Sequence, residues 1–275
     1  MKLFVSADIE GTCGICSWDE TEIGKPGYDR FSAQMSREVA AVCETAFGNA
    51  NVEGVLVKDA HDYARNIDAA MLPANTRIMR GWADVLGNMM AGVQECDAAV
   101  MTGYHSAAYS DGNPLSHTMN TGNMYVKING AYASEFMLNT WFAAYYGIPV
   151  LLLTGDAALC RTAREFAPWI VTVPVNEGRG EAAISVTPQK AVEMIREGTR
   201  KALEGMPSSG TEQKEWLRSR VAALPPHFHA EVCFKEIAKA AHGANYKDAV
   251  RDDPRSISYS TDDFLEVERF LYFVL

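Results

Sequence analysis

The feature that most constrains the fold is an alternation: short apolar, β-rich runs bounded by turn residues take turns with longer stretches whose apolar residues recur at helical spacing. Parallel strands joined by crossover helices produce that pattern, because a strand covered on both faces reads as a continuous apolar run. Lys2–Ala7 reads as the first strand and Val52–Lys58 as the second, and between them Arg30–Gly48 aligns Met35, Val39, Val42 and Ala46 on one helical face. Ala98–Thr102, Pro149–Thr154, Ile170–Val175 and Phe228–Phe234 read as further strands. Glu135–Tyr146, Ala157–Phe166, Pro188–Leu203, Glu212–Ala223, Glu236–His242 and a closing stretch from Asp262 read as helices, with Asp156 placed to cap the second of these. Asn129-Gly130 within Met124–Ala131 calls for a hairpin, since a tight turn needs positive φ at both residues. The stretch from His242 to Thr261 reads as polar loop, and Pro207-Ser208-Ser209-Gly210 as a surface loop too short for a linker. Residues 1–275 are therefore expected to form a single α/β domain with a mostly parallel sheet.

If the strands are parallel, their carboxyl ends share one edge, and ligands bind outside that edge. Asp8-Ile-Glu10 stands where the first strand gives out, Asp59-Ala-His61 just beyond the second, and Gly103-Tyr-His105 at the end of the third. Two carboxylates and two imidazoles are thus expected to converge. Such a mixed oxygen and nitrogen set suits Zn²⁺, with Mn²⁺, Fe²⁺ and Co²⁺ as alternatives, and a bridging carboxylate would accommodate two ions. His117, in a loop after the third strand, is a candidate for proton transfer near neutral pH, though an ordinary loop histidine fits as well. Glu135 stands at a helix start, where a carboxylate is favoured by the dipole alone. His227 and His229 share the spacing of strand alternation, which a solvated strand edge explains; a place in the site is the lesser reading, and then as substrate-pocket lining rather than on the metal. Cys13-Gly-Ile-Cys16 has dithiol spacing but no second such pair, and packing near the site is the plainer reading.

Composition narrows the partners. A net charge of −10 opposes binding to nucleic acid, and the basic runs Arg161–Arg164 and Lys214–Arg220 are flanked or interrupted by Glu165, Glu212 and Glu215. The start, MKLFVSADIE, is too short in apolar residues for an export signal, and Ile148–Thr154 is too short to cross a bilayer. A cytoplasmic protein with six reduced cysteines and no membrane partner is expected. Neither a G-x-S-x-G elbow, a P-loop, a G-x-G-x-x-G turn nor His-Glu-x-x-His occurs in the functional context each requires, so esterase, nucleotide and helical zinc-protease readings lack support.

SADIEGTCGI, VLVKDAHDYARN, GYHS, PLSHTM, the hairpin leading to Glu135, and PVLLLTGD together resemble the DppA-type D-aminopeptidase family, once described as dipeptide transport proteins. The resemblance covers nearly the whole chain. It implies a three-layer α/β/α fold of two intertwined halves, a cofactor of two zinc ions, a small peptide substrate, and a homo-oligomer, a ring-shaped decamer in the family. By the same resemblance Asp8 bridges the ions, Glu10 and His105 complete one site, His61 and Glu135 complete the other, and His117 is the catalytic histidine. The chain departs from the family at Val175-Asn-Glu-Gly-Arg-Gly-Glu181, where a basic residue and then an arginine are common, and around His227. The implied activity is metal-assisted hydrolysis of an amide next to an N-terminal D-amino acid. A peptide-binding accessory of an uptake system and a dinuclear hydrolase of another amide or ester are the alternatives. Activity lost on chelation and restored by zinc separates the first, and a phosphate-ester panel a phosphoesterase form of the second.

Overall fold

The computed structural model describes residues 1–208 and 210–275, so the loop expected at 207–210 includes one residue, Ser209, that lies outside the described residues. In chain order the elements are β1 (Lys2–Ala7), α1 (Tyr28–Phe47), β2 (Gly54–Asp59), β3 (Thr76–Met79), β4 (Ala98–Tyr104), β5 (Asn123–Ile128), β6 (Ala131–Tyr132), α2 (Glu135–Tyr145), β7 (Val150–Asp156) and α3 (Ala157–Phe166). There follow β8 (Val171–Arg179), β9 (Ala182–Ser185), α4 (Pro188–Ala202), α5 (Gly210–Arg218), β10 (Phe228–Phe234), α6 (Ile237–Gly243), β11 (Val250–Arg251), β12 (Ser256–Thr261) and α7 (Phe264–Val274).

The main sheet has the order β3-β2-β1-β4-β7-β8-β9. Its strands are parallel from β3 through β8, and β9 folds back antiparallel at the edge. Leu3 and Val5 of the central β1 face a core with Val39 and Val42 of α1 and Ile195 of α4. Phe4, on the opposite side, joins Met101, Phe136 of α2 and Leu159 of α3. Helices therefore cover both faces, the three-layer α/β/α arrangement expected, and the continuous apolar runs of β1, β4 and β7 are the cost of burial on both sides.

A second sheet, β11-β12-β10-β5-β6, is antiparallel throughout. Its hairpin β5-β6 leaves the chain between two neighbouring strands of the main sheet, whereas its other strands come after α5, so the two halves are intertwined. β10 alternates as a half-covered strand should, burying Phe228, Ala230, Val232 and Phe234, which join α2 and α7 in one core. Asn129 and Gly130 take φ of 51° and 82°, as a two-residue hairpin turn requires.

The stretch expected as polar loop before Thr261 instead contains β11 and β12. Ser256 and Ser258 occupy buried positions of β12, so the apolar alternation that marks a strand is missing there, and pairing with β10 supplies the reason for the conformation. The short edge strands β3 and β9 were likewise not foreseen from the sequence, and α5 ends at Arg218 rather than Ala223. Leu217 is the one residue α5 buries, so little packing sustains it further.

Candidate metal centre

Three of the polar groups arrive as the topology requires. Asp8 and Glu10 follow β1, His61 follows β2, and His105 follows β4, all at the carboxyl edge of the parallel sheet. The approach is close because position 103 is glycine: with φ of +69°, a Cβ there would lie 2.1 Å from the Asp8 carbonyl oxygen. The turn is then tied down by Asp8 N donating to Thr102 O at 2.9 Å and Gly11 N to Gly103 O at 2.7 Å. Glu135 opens α2, whose Ser134 side chain accepts from Met137 N at 3.2 Å. On the β2 side, Asp59 holds the loop by accepting from Ile67 N at 2.8 Å and Asn66 Nδ2 at 2.9 Å, and Asn66 Nδ2 also donates to His61 O.

The oxygens of Asp8 face different imidazoles. Oδ1 is 3.4 Å from His61 Nδ1 and Oδ2 is 3.3 Å from His105 Nε2. Glu10 Oε2 stands 3.2 Å from His61 Nδ1, and Glu135 Oε2 stands 3.6 Å from His105 Nε2. His117 Nε2 lies 3.6 Å from Glu135 Oε1 and 3.9 Å from Glu10 Oε1. Donor atoms lying within 4.8 Å of one another form three groups: Asp8, Glu10 and His61; Asp8, His105 and Glu135; and Glu10, His105 and His117. Around Asp8 the grouping sets His61 with Glu10 and His105 with Glu135, whereas the pairing implied by the resemblance sets Glu10 with His105 and His61 with Glu135. Strand order explains the difference: β1 lies between β2 and β4, so Asp8 has one histidine on either side.

Each histidine has its far nitrogen committed to a carbonyl. His61 Nε2 donates to Thr21 O at 2.9 Å, His105 Nδ1 to Ser106 O at 3.0 Å and His117 Nδ1 to Leu115 O at 2.9 Å. A carbonyl only accepts, so a proton is fixed on that nitrogen and the other nitrogen faces the carboxylates, where it becomes a metal ligand once it carries no proton, the arrangement that orients imidazole ligands. Asp8 Oδ2, Glu10 Oε2 and His105 Nε2 are buried without a hydrogen-bond partner. Orphaned donors facing each other at such spacings suit a cation, since tetrahedral bonds of about 2.05 Å set ligand atoms about 3.3 Å apart. The residues present therefore fit a metal.

Electrostatics of the cluster point the same way. Burial by itself would raise the carboxyls, but the imidazoles outweigh it, holding Asp8 down at about 2 and Glu135 below the usual range. Burial likewise opposes charge on the imidazoles, yet Glu10 with Asp8 lifts His61, and Glu135 with Asp8 lifts His105, well above the ordinary value. Protons thus fill the positions that a metal would take, and an incoming ion must displace them. The pocket over the cluster has a volume of about 560 Å³ and is walled by Trp18 and Trp82. Glu22, Asp62 and Asp84 also line it, while no Lys or Arg does among the described residues. His117 is stacked on His105 at 4.1 Å and edge-on to Trp18 at 5.2 Å.

Asp8, Glu10, His61, His105, Glu135 and His117 are thus brought together. His227 and His229 are not: both are exposed on the second sheet, His227 paired with Asp262 at 2.6 Å and His229 bonded to Ser260 at 2.9 Å, remote from the pocket lining. Their alternation marks a solvated strand face. Cys13 is buried and donates to Val186 O, whereas Cys16 is exposed, so Cys13 packs in the core and Cys16 does not share its surroundings. Trp18, Thr21 and Trp82 escaped sequence reasoning because nothing local in their spacing marks them as pocket walls.

The sequence model of the peptidase family M55, described as D-aminopeptidase, matches residues 1–273. The chain belongs to the D-aminopeptidase family. A D-aminopeptidase of Bacillus subtilis (strain 168) is 31% identical over 206 residues, covering 74% of each chain. The solved structure described as Zn-dependent D-aminopeptidase DppA from Bacillus subtilis, a self-compartmentalizing protease, superposes with a TM-score of 0.87 at 25% identity, covering 100% of this chain and 96% of that one. As a member of the D-aminopeptidase family the chain is a peptidase, and its mixed α/β fold is the one its relative adopts.

Proposed function

We propose that this D-aminopeptidase-family chain binds two zinc ions through Asp8, Glu10, His61, His105 and Glu135, and cleaves the amide after an N-terminal D-residue of short peptides or aminoacyl amides. The observation that carries the reading is the placement of the Asp8 oxygens, one toward His61 and one toward His105, each inside its own donor group. Asp8 would be the shared ligand, with Glu10 and His61 on one side and His105 and Glu135 on the other. Zinc bound there supplies Lewis acidity, lowering the pKa of water and polarising a carbonyl.

The chain's own groups perform the remaining tasks. His117, with Nδ1–H held by the Leu115 carbonyl, has Nε2 available to accept a proton from the attacking water. The same nitrogen returns that proton to the leaving amine as the C–N bond breaks, so the imidazole ends unchanged. Trp18 and the stacked His105 hold the His117 ring in place. Glu22, Asp62 and Asp84 give the pocket a negative field that favours a substrate with a free ammonium group.

The relative's description as self-compartmentalizing supports a homo-oligomer here, and the decameric ring rests on the family resemblance alone. Six unpaired cysteines support a cytoplasmic location. Among the described residues no helix is long and apolar enough to cross a membrane.

The test is metal content by mass spectrometry together with turnover of D- and L-aminoacyl amides, with chelated and zinc-restored enzyme as controls. His117→Ala should retain the metal and lose about 10²–10⁴-fold in kcat. Full activity in that variant removes His117 from the mechanism, and absence of turnover on every amide by the zinc-loaded protein removes the aminopeptidase reading.

A further inference from the structure

A second cavity, of about 190 Å³, adjoins the metal-centre pocket, and the two share Asn88, Met89, Met119 and Asn120 as a common wall. It lies between α2 and α7, where Leu138, Leu271 and Tyr272 give it apolar sides. Asn88 and Asn120 line it on the side shared with the metal-centre pocket, and Asn139 of α2 and Glu268 of α7 line it on the helical side.

Packing explains neither Asn139 nor Glu268. The face that α7 turns inward carries Phe264, Val267, Phe270, Leu271 and Val274, and Glu268 stands one helical turn before Leu271 at the edge of that face. A carboxylate there gains nothing from the helix pattern, which asks for an apolar residue or one in full solvent. No described Lys or Arg pairs with it, and its neighbour Arg269 turns away to Glu266 at 3.2 Å. Glu268 is half-buried, and desolvation pushes its carboxyl up to about 8 against the pull of the Gly87 amide, the behaviour of an acid lacking a cation. Asn139 is 4% exposed and spends its Nδ2 on Tyr104 Oη at 3.0 Å and Met89 Sδ at 3.4 Å. Among the described residues nothing donates to its Oδ1.

A space with apolar sides adjoining the reaction site, holding a carboxylate that no described Lys or Arg pairs and an amide oxygen beside it, is complementary to an aliphatic stem ending in a hydrogen-bond-donating cation. We propose that this cavity receives the side chain of the substrate's N-terminal residue, and that Glu268 with Asn139 selects a residue bearing a side-chain amine, of the lysine or ornithine class. The methylenes lie along Leu138, Leu271 and Met89, and the ammonium donates to Glu268 and Asn139. The size of the cavity limits it to one side chain, and the shared wall leaves the amide over the metal centre. The proposal rests on the aminopeptidase reading for its catalytic consequence, though not for its binding chemistry.

The test compares D-lysinamide with D-norleucinamide, whose side chain replaces the terminal ammonium with a methyl group. With zinc-loaded wild type and Glu268→Gln, both kcat/KM and calorimetric affinity are measured for the two compounds. Wild type should favour the lysyl compound, and Glu268→Gln should shrink the lysyl-to-norleucyl ratio by about 10- to 100-fold, the scale of a charged hydrogen bond. A ratio unchanged within about twofold overturns the proposal. Should Glu268→Gln not fold, wild type alone decides, and a ratio at or below unity overturns it equally. Binding discrimination without turnover would overturn the aminopeptidase reading and leave the subsite standing; turnover without discrimination does the opposite.

Discussion

Asp8, shared between two imidazoles, is the residue on which the two-zinc proposal depends most directly. Asp8→Asn keeps the shape and removes the charge, so zinc content should fall from two per chain to one or fewer, as read by mass spectrometry. Turnover should drop by more than about 10²-fold, the loss already typical for a residue that merely supports a ligand. Glu38 offers a separate test, away from the donor groups. Fully buried on α1, it accepts from Cys13 N at 3.1 Å and Gln34 Nε2 at 2.9 Å, and burial pushes its carboxyl up to about 7. Between its unfolded value near 4.5 and about 7 the folded chain keeps a proton that the unfolded chain has lost, so stability falls as pH rises through that window and levels off above it. Glu38→Gln should flatten that slope, worth roughly 3 kcal/mol, in urea melts between those limits. Asp8, Glu10, His61 and His105 were legible because each stands beside a strand end that hydrophobic pattern already marks, whereas Glu135, at a helix start, was singled out only by the family resemblance. Glu38, Asn139 and the half-buried Glu268 were not legible, since what surrounds them comes from elements distant in sequence.

The helix α3 and the strand β10 begin and end where the sequence places them, because their signals are local: Asp156 before an amphipathic run, and strict alternation in Phe228–Phe234. Asp156 accepts from Ala158 N at 3.2 Å and Leu159 N at 3.4 Å, and also receives the Ser106 hydroxyl. Asp156→Ala should therefore cost about 2 kcal/mol, at the upper end for a lost cap, seen as a lower denaturation midpoint with an unchanged slope. β12 was illegible for the opposite reason. Its Ser256 and Ser258 are buried by the partner strand, and serine carries no apolar signal to announce it.

For the whole molecule, the donor cluster couples metal to folding. Chelation should lower the melting temperature, since ligand held about 1,000-fold above its dissociation constant contributes about 4 kcal/mol. The gap should widen with pH. In the metal-free protein, pairing of protonated His61 and His105 with the carboxylates is fully present below the unfolded histidine value and is lost as pH rises through their raised values. A metal needs the neutral imidazoles, so its contribution grows over the same rise. Thermal melts of loaded and chelated protein from about pH 6 to 8 decide this, and parallel curves would count against it. By itself the sequence determined the parallel α/β class and the edge at which Asp8, Glu10, His61 and His105 gather, because residue periodicity and strand ends are local properties. Only the tertiary structure decided which histidine stands with which carboxylate, that the hairpin β5-β6 joins a second sheet, and that Glu268 enters a cavity beside the site. Those depend on strand order and on packing between distant segments, which no local spacing encodes.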